Sequence, residues 1–385
     1  MFTTANSTVL DCKVLYKNNL VENIYEACSC CYDNTKTISY LEKKKYIGKR
    51  VNSGHESILE HGRMALLFKE LPKERANDLI ELMGLEYAKW FDFFTVTLED
   101  NSYNLIVSGT IRAYKCFINH ITEDEYERNV IVRYIIKEML NNTVKELYGQ
   151  NQFMHFDTFI DAEPDVLDIE TPRNGIRYDT IINKTIEGVA TNSEPDTKQI
   201  TLGIDASTIS VLEKDLVEEL MSCGFYINIL YKIIPVAVVF RNMSRTATHQ
   251  LVRHRNAITQ ESQRYVSAEN ASFTIPVPDY TDDKEYTVDI FGKKTTVPLT
   301  VLATQLIKIY EQLKKQGLKK EEARAFLPAN VNCGRLYMTF TLDSMIAFLN
   351  LRTDPHAQFE IRKYAETIKE IMADLDLLQV DNVLN

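Results

Sequence analysis

The chain has 385 residues, 45% hydrophobic and 25% charged, with a formal net charge of −10. This is the balance of an ordinary globular protein, with apolar material for roughly two domains of about 100–200 residues each. It excludes a membrane-spanning class, since no apolar run approaches the ~20 residues that cross a bilayer. It also argues against a general nucleic-acid binder, because neutralising a phosphate backbone takes a surplus of Lys and Arg.

From Met1 to Lys17 the chain lacks the basic, apolar and small-residue order of a signal peptide, so the expected compartment is the cytoplasm. Seven cysteines without regular spacing are not a disulfide framework. Cys28, Cys30 and Cys31 lie close together, but no His or second Cys pair answers them at a zinc-like spacing. They are expected to be small residues on a helix after Val21, and no metal site is expected.

An internal repeat comes next. Thr37-Ile38-Ser39-Tyr40-Leu41-Glu42-Lys43 returns as Thr208-Ile209-Ser210-Val211-Leu212-Glu213-Lys214. Each copy leads through a helix-like stretch, ending at Ser53-Gly54-His55 or Ser222-Cys223-Gly224, into an apolar strand, Met64–Phe68 or Val236–Phe240. The first copy keeps Gly54-His55-Glu56-Ser57-Ile58-Leu59-Glu60-His61, and the second keeps an Arg/His-rich segment over 241–265. Between them a polar stretch, Glu163 to Lys198, carries three prolines and reads as a linker. The expected class is α+β with two diverged copies: 1–160, a linker at 161–200, and 201–385. Pro276 to Val297 reads as an irregular excursion, and Leu342 to Leu378 has helical spacing at Met345, Phe348, Leu349, Ile361, Tyr364, Ile368, Ile371 and Met372. Trp90, Phe91, Phe93 and Phe94 are read as core, His61 as structural, and His356 as a packed histidine near Gln358 and Glu360.

Ser244 is a fitting N-cap for a helix over Arg245–Arg255, on which His249 and Gln250 share a face with Arg253, and Gln250 with His254. Gln260-Glu261-Ser262-Gln263-Arg264 follows. Such a density of polar groups is costly to bury without a ligand, and at a cleft it suits a phosphate held by guanidinium forks. A solvated charged helix is the bland alternative.

Arg253-His254-Arg255 followed by Gln260-Glu261-Ser262-Gln263-Arg264-Tyr265 resembles the signature of flavin-dependent thymidylate synthases. So do Gly54–His61, Arg324-Ala325-Phe326-Leu327-Pro328, and Phe348–Arg352 with His356-Ala357-Gln358 and Glu360-Ile361-Arg362. The likeness is clear over roughly 20–68 and 236–375. It implies reductive methylation of dUMP with methylenetetrahydrofolate and NADPH through bound FAD. By that resemblance His55, Ser57, Arg253, His254, Arg255 and Gln260 hold the flavin. Gln250, Arg253, Glu261, Ser262, Gln263, Arg264 and Arg324 hold dUMP, and Arg352 faces the uracil imide. No protein nucleophile is expected, since Cys333 lacks a Pro-Cys-Gln setting.

Two departures stand out. Six residues, not the family's seven, separate Arg-His-Arg from Ser262. Where the family has an Asn and an Arg before the uracil-facing arginine, this chain has Thr341 and Asp343, and an Asp repels a diphosphate. Thr110-Ile111-Arg112 in the first half resembles the missing element. That implies an internal pseudo-dimer, so a homodimer could replace the family's tetramer, which remains the alternative. A flavin-dependent hydroxymethylase and a non-catalytic nucleotide- or RNA-binding relative are the rival readings.

Overall fold

The protein is seen in a computed structural model describing residues 11–17, 20–32, 38–87, 91–120, 201–202, 216–268, 273–275, 277, 280–281 and 283–374. The second heptapeptide copy, Trp90 and the expected linker lie outside these residues. The architecture is α+β and divides into two compact units. One comprises Met1–Tyr25, Thr37–Tyr178 and Asp205–Pro235; the other comprises Glu26–Lys36, Asp179–Ile204 and Val236–Asn385. Among the described residues no helix is long and apolar enough to cross a membrane.

The first unit is built on β1 (Asp11–Lys17), β2 (Arg63–Pro72), β3 (Phe91–Thr97) and β4 (Ser102–Thr110), in spatial order β1-β2-β4-β3 and antiparallel throughout. Met64–Phe68 of β2 and Asn104–Thr110 of β4 are buried without alternation, as in a sheet covered on both faces. Helix α1 (Leu20–Cys31) precedes α2 (Tyr40–Asn52), whose start explains the heptapeptide. Ser39 Oγ accepts from Glu42 N–H while the Glu42 carboxylate accepts from Ser39 N–H, a capping box that fixes the first turn. The helix stops where Gly54 adopts φ +89° and His55 N–H reaches back to the Arg50 carbonyl, 3.1 Å. A 3-10 turn, Glu56–His61, then leads into β2.

The core of this unit takes residues from late in the sequence. Leu216, Leu220, Phe225, Leu230 and Ile233, from the helical stretch 216–222 through α5 (Leu230–Ile233), pack against Ala65, Leu67 and Ile106. Asn104 Nδ2 donates to the Cys223 carbonyl at 2.9 Å, and Lys69 pairs with Glu219 at 2.7 Å. The helical stretch ends as α2 does: Gly224 has φ +79°, and Phe225 N–H reaches the Leu220 carbonyl at 2.9 Å. Helices α3 (Lys73–Tyr87) and α4 (Ile111–His120) complete the unit.

The second unit holds β5 (Thr201–Leu202), β6 (Pro235–Ser244), β7 (Ala257–Gln260) and β10 (Asn332–Thr341), in spatial order β5-β6-β10-β7. In both sheets the second strand in sequence is flanked by the first and fourth, and the third lies outermost beyond the fourth. Ala27 and Cys30, from the end of α1, pack here with Ala237 and Tyr337. The region read as an irregular excursion contains a regular hairpin, β8 (Glu285–Ile290) and β9 (Lys293–Pro298). Phe291 and Gly292 both take positive φ at its turn, the backbone a two-residue hairpin loop needs. Helices α6 (Arg245–Leu251), α7 (Leu299–Lys315) and α9 (Leu342–Arg352) follow strands β6, β9 and β10, while α8 (Lys320–Ala323) follows α7 and α10 (Phe359–Asp374) follows α9. The apolar spacing of the tail is matched: Met345, Phe348, Leu349, Ile361, Tyr364, Ile368 and Met372 are all buried.

Candidate active site

Helix α6 starts as the sequence indicates. Ser244 Oγ accepts from Ala247 N–H at 3.2 Å. The cap is itself held by Glu360 at the start of α10, whose buried carboxylate accepts from Ser244 N–H at 2.7 Å and from the Ser244 hydroxyl. Burial pushes the Glu360 carboxyl above its usual range, against the opposing pull of the two Ser244 hydrogen bonds. The helix is shorter than expected. It closes at Leu251, tightens into a 3-10 turn over Val252–His254, and ends with Arg255 at φ +54°, so that the chain can turn into β7. Arg253 and Arg255 are exposed, and His254 is half-buried.

Arg352, the last residue of α9, joins this turn. Its Nε donates to His254 Nε2 at 2.9 Å, its Nη1 to Gln250 Oε1 at 3.2 Å, and its Nη2 to the Gln250 carbonyl at 3.4 Å. The imidazole accepts from a cation, so it is neutral. Burial and the Arg352 charge both hold its pKa below the ordinary value. The His254 ring meets Phe348 edge-on, centroids 5.0 Å apart. Burial and the nearby charge of Arg253 lower the pKa of Arg352 in turn. Two like charges are thus held close together, an arrangement that an anionic or electron-rich ligand relieves.

The second group follows β7. Gln260 pairs in register with Leu336 of β10, and among the described residues its buried Nε2 has no hydrogen-bond partner. Glu261 N–H bonds the Arg335 carbonyl at 2.9 Å, and Ser262 N–H bonds the Cys31 carbonyl at 3.1 Å. Arg335 Nη2 in turn donates to the Ser29 carbonyl at 3.2 Å, tying the end of α1 to the same loop. The Glu261 carboxylate rests against the bare backbone of Gly334, where an added Cβ would lie 1.9 Å from Glu261 Oε2 and push that carboxylate aside. Gln263 is buried, while Arg264 is exposed and pairs with Glu321 at 3.2 Å. Arg324 Nε donates to the Glu321 carbonyl at 3.3 Å. A cavity of about 380 Å³ is lined by Arg245, Gln263, Glu321, Arg324 and Ala325.

The remaining predicted residues belong to the first unit. His55 sits half-buried before the 3-10 turn, and Ser57 is exposed within it. Thr110 Oγ1 accepts from Ala113 N–H at 3.2 Å and caps α4, whose second residue, Arg112, pairs with Glu60. Thr341 and Asp343 occupy the same position at the start of α9, where Asp343 Oδ1 accepts from Ser344 N–H at 2.7 Å and from the Thr341 hydroxyl. The Asp that departs from the family pattern is therefore a helix-start acceptor. His61 is fully buried, and burial pushes its pKa down to about 3. His356 corrects the expectation of a packed residue: its side chain is 96% exposed and bonds Asp354, not Gln358 or Glu360. Cys28 and Cys30 are buried on α1 as expected, with Cys31 only partly so. Burial raises the Cys30 thiol to about 12, which makes it inert. Sequence reasoning missed Arg245, Glu321 and the capping role of Glu360. Only the Ser244 cap signal pointed toward the last.

Residues 198–376 match the family model described as thymidylate synthase complementing protein. The matched segment is thus similar to that family. The matched segment carries the Arg352 cluster, the Gln260–Arg264 loop and Arg324, whereas His55, Ser57, Thr110 and Arg112 fall outside it. The chain is 34% identical over 139 residues to a flavin-dependent thymidylate synthase from Pyrococcus abyssi, covering 35% of this chain and 53% of the relative. It is 32% identical over 138 residues to one from Ruegeria pomeroyi, covering 32% and 45%. With one from Corynebacterium diphtheriae it shares 31% identity over 148 residues, covering 36% and 58%. The chain spans about half the length of these curated relatives.

Proposed function

We propose that this protein is a flavin-dependent thymidylate synthase, converting dUMP to dTMP with methylenetetrahydrofolate as one-carbon donor and NADPH as reductant. The observation that carries the reading is the single cluster of Arg352, His254, Gln250 and Arg253 in the segment matching the thymidylate synthase complementing family. Methylation at C5 of uracil needs electron density on that carbon, with negative charge developing across N3 and the carbonyls. A fixed guanidinium in a partly desolvated pocket stabilises that charge better than water does. Arg352 suits the task because its fork is already oriented by three acceptors and it stays cationic at any cellular pH. Gln263, Arg264 and Arg324, with Ser262 and Glu261, would grip the nucleotide at its phosphate and sugar.

The donor set also fits FAD. Arg253 and Arg255 are exposed guanidiniums able to meet a diphosphate, and Gln260 Nε2 has no hydrogen-bond partner among the described residues. Val252 and Leu351, chain neighbours of Arg253 and Arg352, are exposed apolar residues suited to a ring. When bound, the flavin supplies the reducing equivalents; the protein's part is to orient it against the uracil. His55, Ser57, Thr110 and Arg112 would complete that site from another subunit's first unit.

We also propose that the two halves, 1–160 and 201–385 about a linker at 161–200, are diverged copies. What supports this is the shared strand order, the matching left-handed glycines at Gly54 and Gly224, and helices α4 and α9 starting at Thr110 and Thr341. Each chain would then stand for two family subunits, and a cytoplasmic homodimer would suffice. Anaerobic incubation with dUMP, methylenetetrahydrofolate and NADPH, followed by product mass, tests the activity. A methyl product that Arg352→Ala abolishes with flavin retained is expected. A hydroxymethyl product, a colourless protein, or normal turnover by the variant would overturn the reading.

A further inference from the structure

We infer that Arg245 is an additional ligand for the nucleotide's terminal phosphate, an inference that rests on the dUMP reading above. The cavity of about 380 Å³ is lined by two arginines, Arg245 and Arg324, with Gln263 between them in sequence and Glu321 beside them. The motif resemblance assigns Arg324 and Gln263 to the substrate but contains no counterpart of Arg245. Its main chain is fixed: Arg245 N–H bonds the Val331 carbonyl at 3.1 Å, and Thr246 N–H and hydroxyl both bond the Ala329 carbonyl at 3.1 Å. The side chain thus emerges from a rigid corner between α6 and the start of β10.

Two features make this residue more than a lining group. Its Nε is buried with no hydrogen-bond partner among the described residues, a costly state that an incoming acceptor would relieve. The charges at the cavity also fit one kind of guest. Glu321 is matched by Arg264, which leaves Arg245 and Arg324 as the surplus cations among the described residues lining the cavity. Two positive charges complement a phosphomonoester, which carries about −1.5 to −2 near neutral pH, better than they complement a singly charged diester. Gln263, buried at the cavity wall, adds an amide donor. The ligand class is therefore a terminal phosphomonoester or free inorganic phosphate.

Titration calorimetry on the full chain tests this with dUMP, deoxyuridine and inorganic phosphate, using wild type, R245M, R245K and R324M. We expect R245M to weaken dUMP by about 10–100-fold, R245K to recover part of the loss by restoring charge without the fork, and deoxyuridine binding to stay unchanged. Inorganic phosphate should compete with dUMP in wild type and far less in R245M. Circular dichroism melting of R245M close to that of wild type will show that the variant is folded. If dUMP binds R245M as tightly as wild type while R324M loses it, Arg245 is not a ligand and the nucleotide site stands without it. If R324M also leaves dUMP affinity intact, or wild type does not bind dUMP, the nucleotide reading falls as well.

Discussion

Glu360 lies more than a hundred residues from the Arg-His-Arg turn in sequence, yet its carboxylate holds the first residue of the helix that leads into it. Replacing it by alanine removes the acceptor for both Ser244 N–H and the Ser244 hydroxyl, leaving two donors inside a buried corner. A hydrogen bond to a charged acceptor contributes about 1.5–3 kcal/mol, so the pair would set a ceiling near 6 kcal/mol. Burial outweighs these bonds in its effect on the Glu360 carboxyl, which places the expected loss near the lower end, about 3 kcal/mol. Glu360→Gln, which keeps the shape and one acceptor, should cost about half as much. Urea unfolding followed by circular dichroism reads the difference as a shift in midpoint at constant slope. The pH dependence supplies a second check. The folded pKa is raised, so the stability owed to this ionisation is fully present below the unfolded value of about 4.5 and is lost as pH rises through the folded pKa. The margin of wild type over Glu360→Gln should therefore be wider at pH 4 than at pH 8. An alanine variant within about 1 kcal/mol of wild type, or a margin that widens with pH, would refute the reasoning.

His61 titrates with the opposite consequence. Held neutral by burial with a pKa of about 3, it leaves the unfolded chain binding the extra proton below pH 6.5. Stability should therefore fall by up to about 1.4 kcal/mol per unit as pH drops below 6.5, a slope that His61→Asn removes in urea titrations across pH 5–7. Gly334→Ala drives a methyl into the Glu261 carboxylate. That end of a flexible side chain can move, so the melting temperature should change little while dUMP affinity measured by calorimetry falls about tenfold.

Much of this site was legible because its signals are local. Ser244 announced a helix start by residue type, and the spacing of Gln250 and His254 put both on the face that Arg352 meets. The apolar spacing of the tail translated directly into α9 and α10. What was hidden depended on distant contacts. The early end of α6 at Leu251 follows from the left-handed Arg255 and the demand of β7 pairing with β10, which no propensity encodes. Arg245 reads as one more surface charge until the cavity beside Arg324 is seen. His356 was assigned to Gln358 and Glu360 by proximity in sequence, but Ser244 claims Glu360 and Ile361 N–H claims Gln358. The β8–β9 hairpin was read as irregular because its strands are exposed and largely polar, so the alternation that marks a half-buried strand is weak.

The apolar face of the first sheet has a consequence for synthesis. Ala65, Leu67 and Ile106 are made early, but Leu216 through Ile233, which cover them, emerge more than a hundred residues later. At about 5–20 residues per second the ribosome leaves that face bare for on the order of ten seconds. During that interval the nascent chain carries a sticky strand surface, and chaperone binding or pairing with a neighbouring nascent chain competes with its proper closure.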